Sequence, residues 1–529
     1  MSGSGLRVQI DGRNVQVPAG STLLDAAKRA DVSIPTLCHR DGCRPGTSCM
    51  VCVVQVQGLK RLVPACAYPV RDGMVVETGT ERVLQARRTA MELLLAEHVG
   101  DCEGPCRRGC PARMNIPLML RQIAAGRIDR ALVTVRREIS MPAVLGWVCP
   151  APCEKHCRRT GVDAPVAICL AKRFAGEKGG RESGDWGMPP PRPGGRRVAV
   201  VGGGPAGLSC SLYLRLLGHT VELFEAGEQL GGGLCHSVGE GRLPKSVLVA
   251  DIEAIRCTGV VMRTGVCVGV DKTLAELRER FAAVVLATGV HAEGPLPGPE
   301  LARTPRGLEV EKGGFRTTMD GVFAAGSAVL PTRMAVRACA DGKAAAFQCD
   351  GFLRQEAGAV PVPRFDSVIR RMEEQELREY AREADGHGRI QRAVSEAEGL
   401  SPDEAMREAG RCMHCDCRKA GDCRLRDLAD QLGARGRRFK PAVRAAYSIE
   451  RDHPDLLFES GKCIRCGLCI RISELRKEPA GLTFVGRGAR TQVSPPTGVS
   501  WSGAILHAAA EIVEACPTGA LSWKNDRVS

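Results

Sequence analysis

The residues of this chain that could do chemistry are mostly sulfur ligands. Twenty-six cysteines stand among 529 residues, and twenty of them, counting Cys43 within the first, gather in four tight clusters along the sequence. Cys38, Cys49, Cys52 and Cys66 follow C-x10-C-x2-C-x13-C. Two ligands one short turn apart, joined by two more from flanking loops, can enclose a 2Fe–2S core. His98, Cys102, Cys106, Cys110, Cys149, Cys153, Cys157 and Cys169 form a group of eight, enough for two 4Fe–4S clusters. Their intervals of three or four residues keep thiolates on one side of a turn, and Cys-Pro pairs stop a helix and expose the sulfur. Cys412, Cys415, Cys417 and Cys423 set four thiolates within twelve residues, a 4Fe–4S site with tetrahedral zinc as the alternative. Cys463, Cys466 and Cys469 follow C-x2-C-x2-C, and Cys516, ahead of Pro517, is their remote partner.

A second chemistry lies in VAVVGGGPAGL (198–208), read as a buried strand, a glycine turn and a helix start. Gly202 allows the tight turn, Gly204 lets a pyrophosphate approach the backbone, and Gly207 permits close helix–strand packing. The phosphates would sit on the helix N-terminus. TVELFEA (220–226) is the next strand, and its Glu225 is the acid expected to accept both ribose hydroxyls.

Composition narrows the class. Apolar residues are 44% and charged residues 25%, as in globular chains, and aromatics are only 4%, so inorganic centres are expected to fill part of the interior. The N-terminus MSGSGLRVQIDGRNVQV has no apolar signal region, and no run of 18 apolar residues exists. The cysteines are therefore expected as reduced thiolates in the cytoplasm rather than as disulfides. The formal charge of +14 would suit nucleic acid. Four or five iron–sulfur clusters plus FAD would remove roughly 10 or 11 of those charges. The arginines are also spread out, so no nucleic-acid partner is expected.

The elements that must position these residues read as several domains, α+β and α/β in class. Residues 1–82 are a small β-rich domain, with two strands around an Asp-Gly turn and a helix capped at Ser21 and Thr22. Residues 83–184 are helical and carry two clusters; 185–197 (DWGMPPPRPGGRR) is a linker. Residues 198–355 alternate strands and helices as a Rossmann-like FAD domain. Residues 356–440 are a charged helical connector bearing the four-cysteine motif, and 441–529 a last cysteine-bearing domain. Cys43 is expected as a small buried side chain, and Cys210, Cys257, Cys267, Cys339 and Cys349 as core residues.

The first domain, with its four spacings, resembles the 2Fe–2S ferredoxin domain of the large NADH dehydrogenase iron–sulfur subunit and of related hydrogenase and formate dehydrogenase subunits. That resemblance implies a β-grasp fold. CRRGCPARMNIPLMLRQIAAGRIDRAL with VCPAPCEKHC resembles the iron–sulfur domain of the glutamate synthase small subunit and of dihydropyrimidine dehydrogenase, which interleaves its cysteines between two clusters. The usual C-x2-C pair at its start is replaced by MELLLAEHVGDC, where His98-x3-Cys102 resembles the His-x3-Cys segment of the NADH dehydrogenase large subunit. The resemblances together imply one cluster on His98, Cys102, Cys106 and Cys157, and another on Cys110, Cys149, Cys153 and Cys169. EAGEQLGGGL, GRLPKSVL, VVLATG and GVFAAGS resemble successive FAD-contact segments of the glutamate synthase small-subunit family. They add Pro205, Ala206, Gly232, Leu234, Arg242, Ala287, Thr288, Gly289, Gly326 and Ser327 to the expected contacts, with Ser327 where that family has Asp. Cys463, Cys466, Cys469 and Cys516 resemble one half of a bacterial-type ferredoxin; Ser473 replaces the next cysteine, so one 4Fe–4S cluster is expected there.

Only residues 290–320 separate the ATG and GVFAAG segments, whereas a nicotinamide domain needs roughly 100 residues. FAD without NAD(P)H is the expectation. Nor does any nucleophile–base constellation stand out. The reading that follows is a non-catalytic electron-transfer subunit of a larger soluble oxidoreductase. It would join a partner that reacts with NAD(P)H or ferredoxin to a partner catalytic subunit, through FAD, one 2Fe–2S and three or four 4Fe–4S clusters. The alternative is a self-contained NAD(P)H-dependent oxidoreductase like the glutamate synthase small subunit. A third class, a redox-sensing scaffold, would leave the clusters structural.

Overall fold

The computed structural model describes residues 5–180, 185–236, 238–239, 241–290, 300–356, 364–369, 371–393, 396–439 and 447–524. The chain divides into two compact units, each discontinuous in sequence. Unit 1 takes residues 1–103, 363–380 and 415–529, and unit 2 takes 104–362 and 381–414. The segments read in succession from the sequence therefore alternate between the two units.

Unit 1 opens on a hairpin. Leu6–Ile10 pairs antiparallel with Arg13–Val17 around Asp11 and Gly12, both at positive φ, 47° and 81°. Those conformations suit the short turn whose twist matches the strands. Leu6–Ile10 also runs parallel to Met74–Glu77, in a five-stranded sheet completed by Val53–Val56 and Val63–Pro64. The helix Leu23–Arg29 begins at Thr22, whose hydroxyl and Asp25 form a reciprocal cap. Its buried leucines join Val8, Ile10, Val54, Val76, Cys52 and Cys66 in one core. The same unit holds a three-stranded antiparallel sheet of Ile449–Glu450, Leu456–Glu459 and Leu521–Trp523. Its core gathers Ile472, Ile505, Ile512 and the stacked pair Phe458 and Trp501, ring centroids 4.7 Å apart.

Unit 2 begins with short helices, among them Pro105–Gly109, Ile116–Ala124, Ile128–Arg136, Pro142–Val148 and Ile168–Lys178. A five-stranded parallel sheet follows, ordered Val322–Ala324, Ala283–Leu286, Arg197–Val201, Thr220–Phe224, Val261–Arg263. Two of its inner strands, Arg197–Val201 and Ala283–Leu286, are buried runs of Val, Ala and Leu after Arg197, the pattern of a parallel strand covered on both faces. Between Ala283–Leu286 and Val322–Ala324 the described residues hold only a short hairpin, Arg303–Thr304 with Gly307–Leu308. Residues 291–299 lie outside the described set.

Three expectations change. The charged stretch 364–410, within the segment expected as a helical connector, is helical among the described residues only at Glu374–Ala381 and Pro402–Gly410. Within unit 2 its irregular part is held by ion pairs instead, Arg389 to Glu154 at 2.7 Å and Arg392 to Glu404 at 3.1 Å. Cys257 is exposed and Cys267 half-buried, because one ends the helix Lys245–Arg256 and the other lies in the turn after an edge strand; Cys210, Cys339 and Cys349 are buried. Cys43 is half-buried against the core of Phe458 and Trp501. Among the described residues no helix is long and apolar enough to cross a membrane.

The helices Pro205–Leu216 and Ala335–Leu353 cross at glycine contacts. A Cβ on Gly342 would lie 2.1 Å from the Ala206 carbonyl oxygen. Gly342→Val is therefore expected to cost about 1–3 kcal/mol through overpacking. Thermal unfolding of the purified chain measures it, and an unchanged midpoint would show that the two helices tolerate a wider spacing.

Candidate functional site

In unit 2 the strand Arg197–Val201 ends at Gly202, whose φ of 108° favours glycine and whose Cβ would meet the Ala287 carbonyl at 2.4 Å. Gly207 is equally constrained, since a Cβ there would fall 1.8 Å from the Gly202 oxygen. Gly204, which caps the helix Pro205–Leu216, differs. A Cβ on it would meet nothing nearer than the Gly232 Cα at 4.0 Å, so the backbone there faces open space. Open space at a helix N-terminus is what a pyrophosphate needs. Glu225 follows the strand Thr220–Phe224. Its carboxylate accepts the Gly203 N–H at 2.6 Å and the Gly227 N–H at 2.8 Å, which locks it beside the turn.

Ala287 packs with Ala206 and Ala338, Gly326 (φ 65°) lies against the Ala206 methyl, and Gly289 (φ 81°) has open space at its Cα. These segments converge on the turn, as does Gly232, while Thr288 stands between Ala287 and Gly289. Leu234 is buried, and Arg242 is exposed in the turn before Lys245–Arg256. Ser327 turns into its own loop, its hydroxyl 3.4 Å from the Thr332 N–H. Cys235 also faces its own backbone, its thiol 3.0 Å from the Leu230 carbonyl. The cradle fits a dinucleotide.

Cys110, Cys149, Cys153 and Cys169 line one pocket in unit 2, with Lys172, Pro111, Pro152 and Val336. Cys110 and Cys149 cap the C-termini of two short helices, and Cys169 lies in the first turn of Ile168–Lys178. Burial pushes the Cys110 and Cys153 thiols up, while Cys149, hydrogen-bonded by Cys169, is drawn down to about 5. Cys106, Cys157 and Cys412 share the surrounding core of the same unit. Arg159 Nη1 donates to the Arg411 carbonyl at 2.6 Å, which ties the Cys157 loop to the residue before Cys412.

In unit 1, Cys38, Cys49, Cys52 and Cys66 face one another. Cys38 accepts a hydrogen bond from Cys49 and is drawn down to about 5, and Cys52 accepts one from Cys66 and is drawn down to about 7. Cys463, Cys466, Cys469 and Cys516 line a second pocket with Leu468, Val493 and Pro517. Gly467, at φ 68°, turns the chain into the helix Leu468–Leu475. Ser473 is buried and donates to the Ile470 carbonyl at 2.8 Å, a helix contact rather than a ligand position.

The third grouping in unit 1 was not legible from spacing. Cys417 N–H donates to the Cys102 carbonyl at 3.4 Å, and the two thiolates repel, as do those of Cys417 and Cys423. Burial pushes Cys102 up to about 12 and Cys423 to about 11. His98 is half-buried with its Nδ1 enclosed, and desolvation, then the Lys462 ammonium, press its imidazole down to about 4. Among the described residues His98 Nδ1 has no hydrogen-bond partner. Lys462 connects the group, because its charge acts on both His98 and Cys417. A neutral imidazole with an orphaned nitrogen beside buried thiols is a donor set that fits an iron–sulfur core. The twelve-residue motif is thus divided, Cys412 lying in unit 2 and Cys415, Cys417 and Cys423 in unit 1. Among the described residues no three His, Cys, Asp or Glu side chains meet closely enough for a single metal ion.

Sequence reasoning passed over Lys172, Lys462 and Arg471. Lys172 lies one helical turn after Cys169, a spacing that could have drawn notice. Arg471 Nη2 donates to the carbonyls of Cys38 and Cys466, at 2.9 and 3.0 Å.

Comparison with known proteins assigns the parts. Residues 4–81 match the model of the 2Fe-2S iron-sulfur cluster binding domain. Residues 80–183 match the 4Fe-4S cluster domain II of dihydropyrimidine dehydrogenase, and residues 188–342 match pyridine nucleotide-disulphide oxidoreductase. The chain therefore joins a 2Fe–2S domain, a 4Fe–4S domain and a flavoprotein-type oxidoreductase domain. It is 38% identical to the NADP(+)-dependent formate dehydrogenase subunit beta of Moorella thermoacetica over 36% of this chain and 30% of that one. It is 37% identical to the glutamate synthase [NADPH] small chain of Mycobacterium tuberculosis (strain CDC 1551 / Oshkosh) over 40% of this chain and 43% of that one. With the NADP-reducing hydrogenase subunit HndD of Solidesulfovibrio fructosivorans it shares 52% over 18% of this chain and 17% of that one. The chain spans less than half the length of each of these relatives.

Glu225→Ala removes two charge-assisted hydrogen bonds that set the turn, each worth about 1.5–3 kcal/mol. Flavin retained after gel filtration is expected to fall on the order of tenfold or more. The flavin released by denaturing the unmodified chain is expected to be FAD at one per chain. Finding FMN, or full retention in the variant, would count against the dinucleotide cradle.

Proposed function

We propose that this chain is an iron–sulfur flavoprotein electron-transfer subunit of a larger oxidoreductase. It would relay electrons between a partner subunit that reacts with NAD(P)H or ferredoxin and a partner catalytic subunit. One observation carries the reading. The helix Ala335–Leu353 sends Val336 into the pocket of Cys110, Cys149, Cys153 and Cys169, and two residues later packs Ala338 on Ala206 at the glycine turn. A flavin site and a cluster site thus share one short stretch of backbone. When bound, FAD exchanges two electrons and each cluster one, which lets pairs be split or merged.

The residues divide into five ligand sets in this reading. Cys38, Cys49, Cys52 and Cys66 hold the 2Fe–2S cluster of a β-grasp domain. Cys463, Cys466, Cys469 and Cys516 hold a 4Fe–4S cluster in a ferredoxin-like domain. Cys110, Cys149, Cys153 and Cys169 hold a third. His98 and Cys102 join Cys417 and Cys423 rather than Cys106 and Cys157. Cys106 and Cys157 gain Cys412 in their place. Zinc has no part in this arrangement.

Adjacency within unit 1 supports a relay. Arg471 bridges the Cys38 and Cys466 loops, and the Cys423 thiol lies 3.8 Å from the Pro517 carbonyl, next to Cys516. The names of the relatives support the subunit role, since they include subunits of a formate dehydrogenase and a hydrogenase. The match of residues 188–342 to a pyridine nucleotide model favours the self-contained reductase as second reading. The link between the strands Ala283–Leu286 and Val322–Ala324 is too short for a nicotinamide domain, and that favours the subunit.

NADH or NADPH alone is expected not to reduce the anaerobically purified chain, and dithionite to reduce it fully. Rapid bleaching of the flavin by either nicotinamide in stopped flow would promote the reductase reading. The ligand sets are tested separately. The reconstituted chain is expected to carry about 18 iron atoms, one 2Fe and four 4Fe clusters. Cys417→Ala is expected to abolish the EPR signal lost in Cys102→Ala, and Cys412→Ala the one lost in Cys106→Ala. If Cys412→Ala and Cys417→Ala instead abolish one and the same signal, the twelve-residue motif holds a single cluster.

A further inference from the structure

We propose that Lys172 is a fixed positive charge that raises the reduction potential of the cluster held by Cys110, Cys149, Cys153 and Cys169. The inference rests on the ligand set proposed above for that pocket. Lys172 lies on the helix Ile168–Lys178, one turn beyond Cys169, so both side chains leave the same face. Only 4% of Lys172 is exposed, and it lines the pocket together with all four cysteines. A buried ammonium is costly unless anionic groups surround it. The four sulfur ligands that line the same pocket are the anionic groups that surround it here.

The other charged groups around the pocket are matched elsewhere. Glu154, which acts on Cys149 and Cys153, accepts the Cys169 N–H at 2.9 Å and pairs with Arg389 at 2.7 Å. Lys462, the buried lysine of unit 1, shows the contrast, because it is ion-paired with Glu459 at 2.5 Å. The Lys172 charge is directed at the sulfur ligands. A cluster gains negative charge when it takes an electron, and a cation in a low-dielectric pocket favours that form. The same sign explains why neutral His in place of Cys raises cluster potentials. Val336 of the flavin-side helix lines this pocket, so the effect falls on the cluster beside the flavin cradle and favours electron flow from the flavin into it.

The test is an EPR-monitored redox titration of the anaerobic full-length holoprotein, with iron content measured in parallel. The signal of this cluster is identified as the one lost in Cys110→Ser. Lys172→Met is expected to shift its midpoint downwards, with the other clusters unmoved and iron retained. Lys172→Arg, which keeps the charge, is expected to hold the midpoint near that of the unmodified chain. Loss of this cluster in Lys172→Met alone, with iron and midpoint kept in Lys172→Arg, also supports the role of the charge. An unchanged midpoint in Lys172→Met, or loss of the cluster from both variants, overturns it. Failure of the ligand set shows differently: Cys169→Ser would leave this signal untouched.

Discussion

Sulfur must be kept out of water here without leaving its charge uncompensated, and the rest of the structure depends on how that is done. A thiolate in an apolar interior is disfavoured, and burial raises the thiols of Cys102, Cys153, Cys417 and Cys466. Iron supplies the compensation when it binds, so the donor sets and the folded cores depend on each other. Cys52 and Cys66 belong to the core of the first sheet, and Cys110, Cys149, Cys153 and Cys169 to the largest core of unit 2.

A second constraint is closeness. Electron relay needs neighbouring sites, and small residues permit it. Gly342 lets the helix Ala335–Leu353 lie against the glycine-turn helix, and Ala206, Ala287 and Ala338 form the small-residue seam between the cradle and that helix. In unit 1 a single side chain does comparable work, since Arg471 joins the carbonyl of Cys38 to that of Cys466. A lysine in each unit then distinguishes the electrostatics. Lys462 is matched by Glu459, whereas Lys172 faces thiolates.

In the proposed ligand sets one four-cysteine run serves two places, and the division of the chain falls within that run. Unit 1 ends its first segment at Glu103, returns for 363–380 and resumes at Cys415, with 104–362 and 381–414 in unit 2. Cys417 meets Cys102 across that interval, and Cys412 stays in the core of Cys106 and Cys157. Compactness of the motif in sequence suggested one site, but the unit boundary runs through it.

The sequence by itself determined the local chemistry. The Asp-Gly hairpin, the Thr22 cap, the strand–turn–helix at Gly202–Gly207 and the spacing of each cysteine group were legible because neighbours within a few residues set those geometries. Exposure of Cys257 and the breaks in the charged helix were not, because they depend on what packs nearby. Only the tertiary structure bears on which of the candidate donors stand together. His98 and Cys102 precede Cys417 and Cys423 by more than three hundred positions. Closing so long a loop costs little more entropy than closing a short one, since the cost rises only with the logarithm of length. Sequence distance therefore says almost nothing about which donors share a site, and packing settles it.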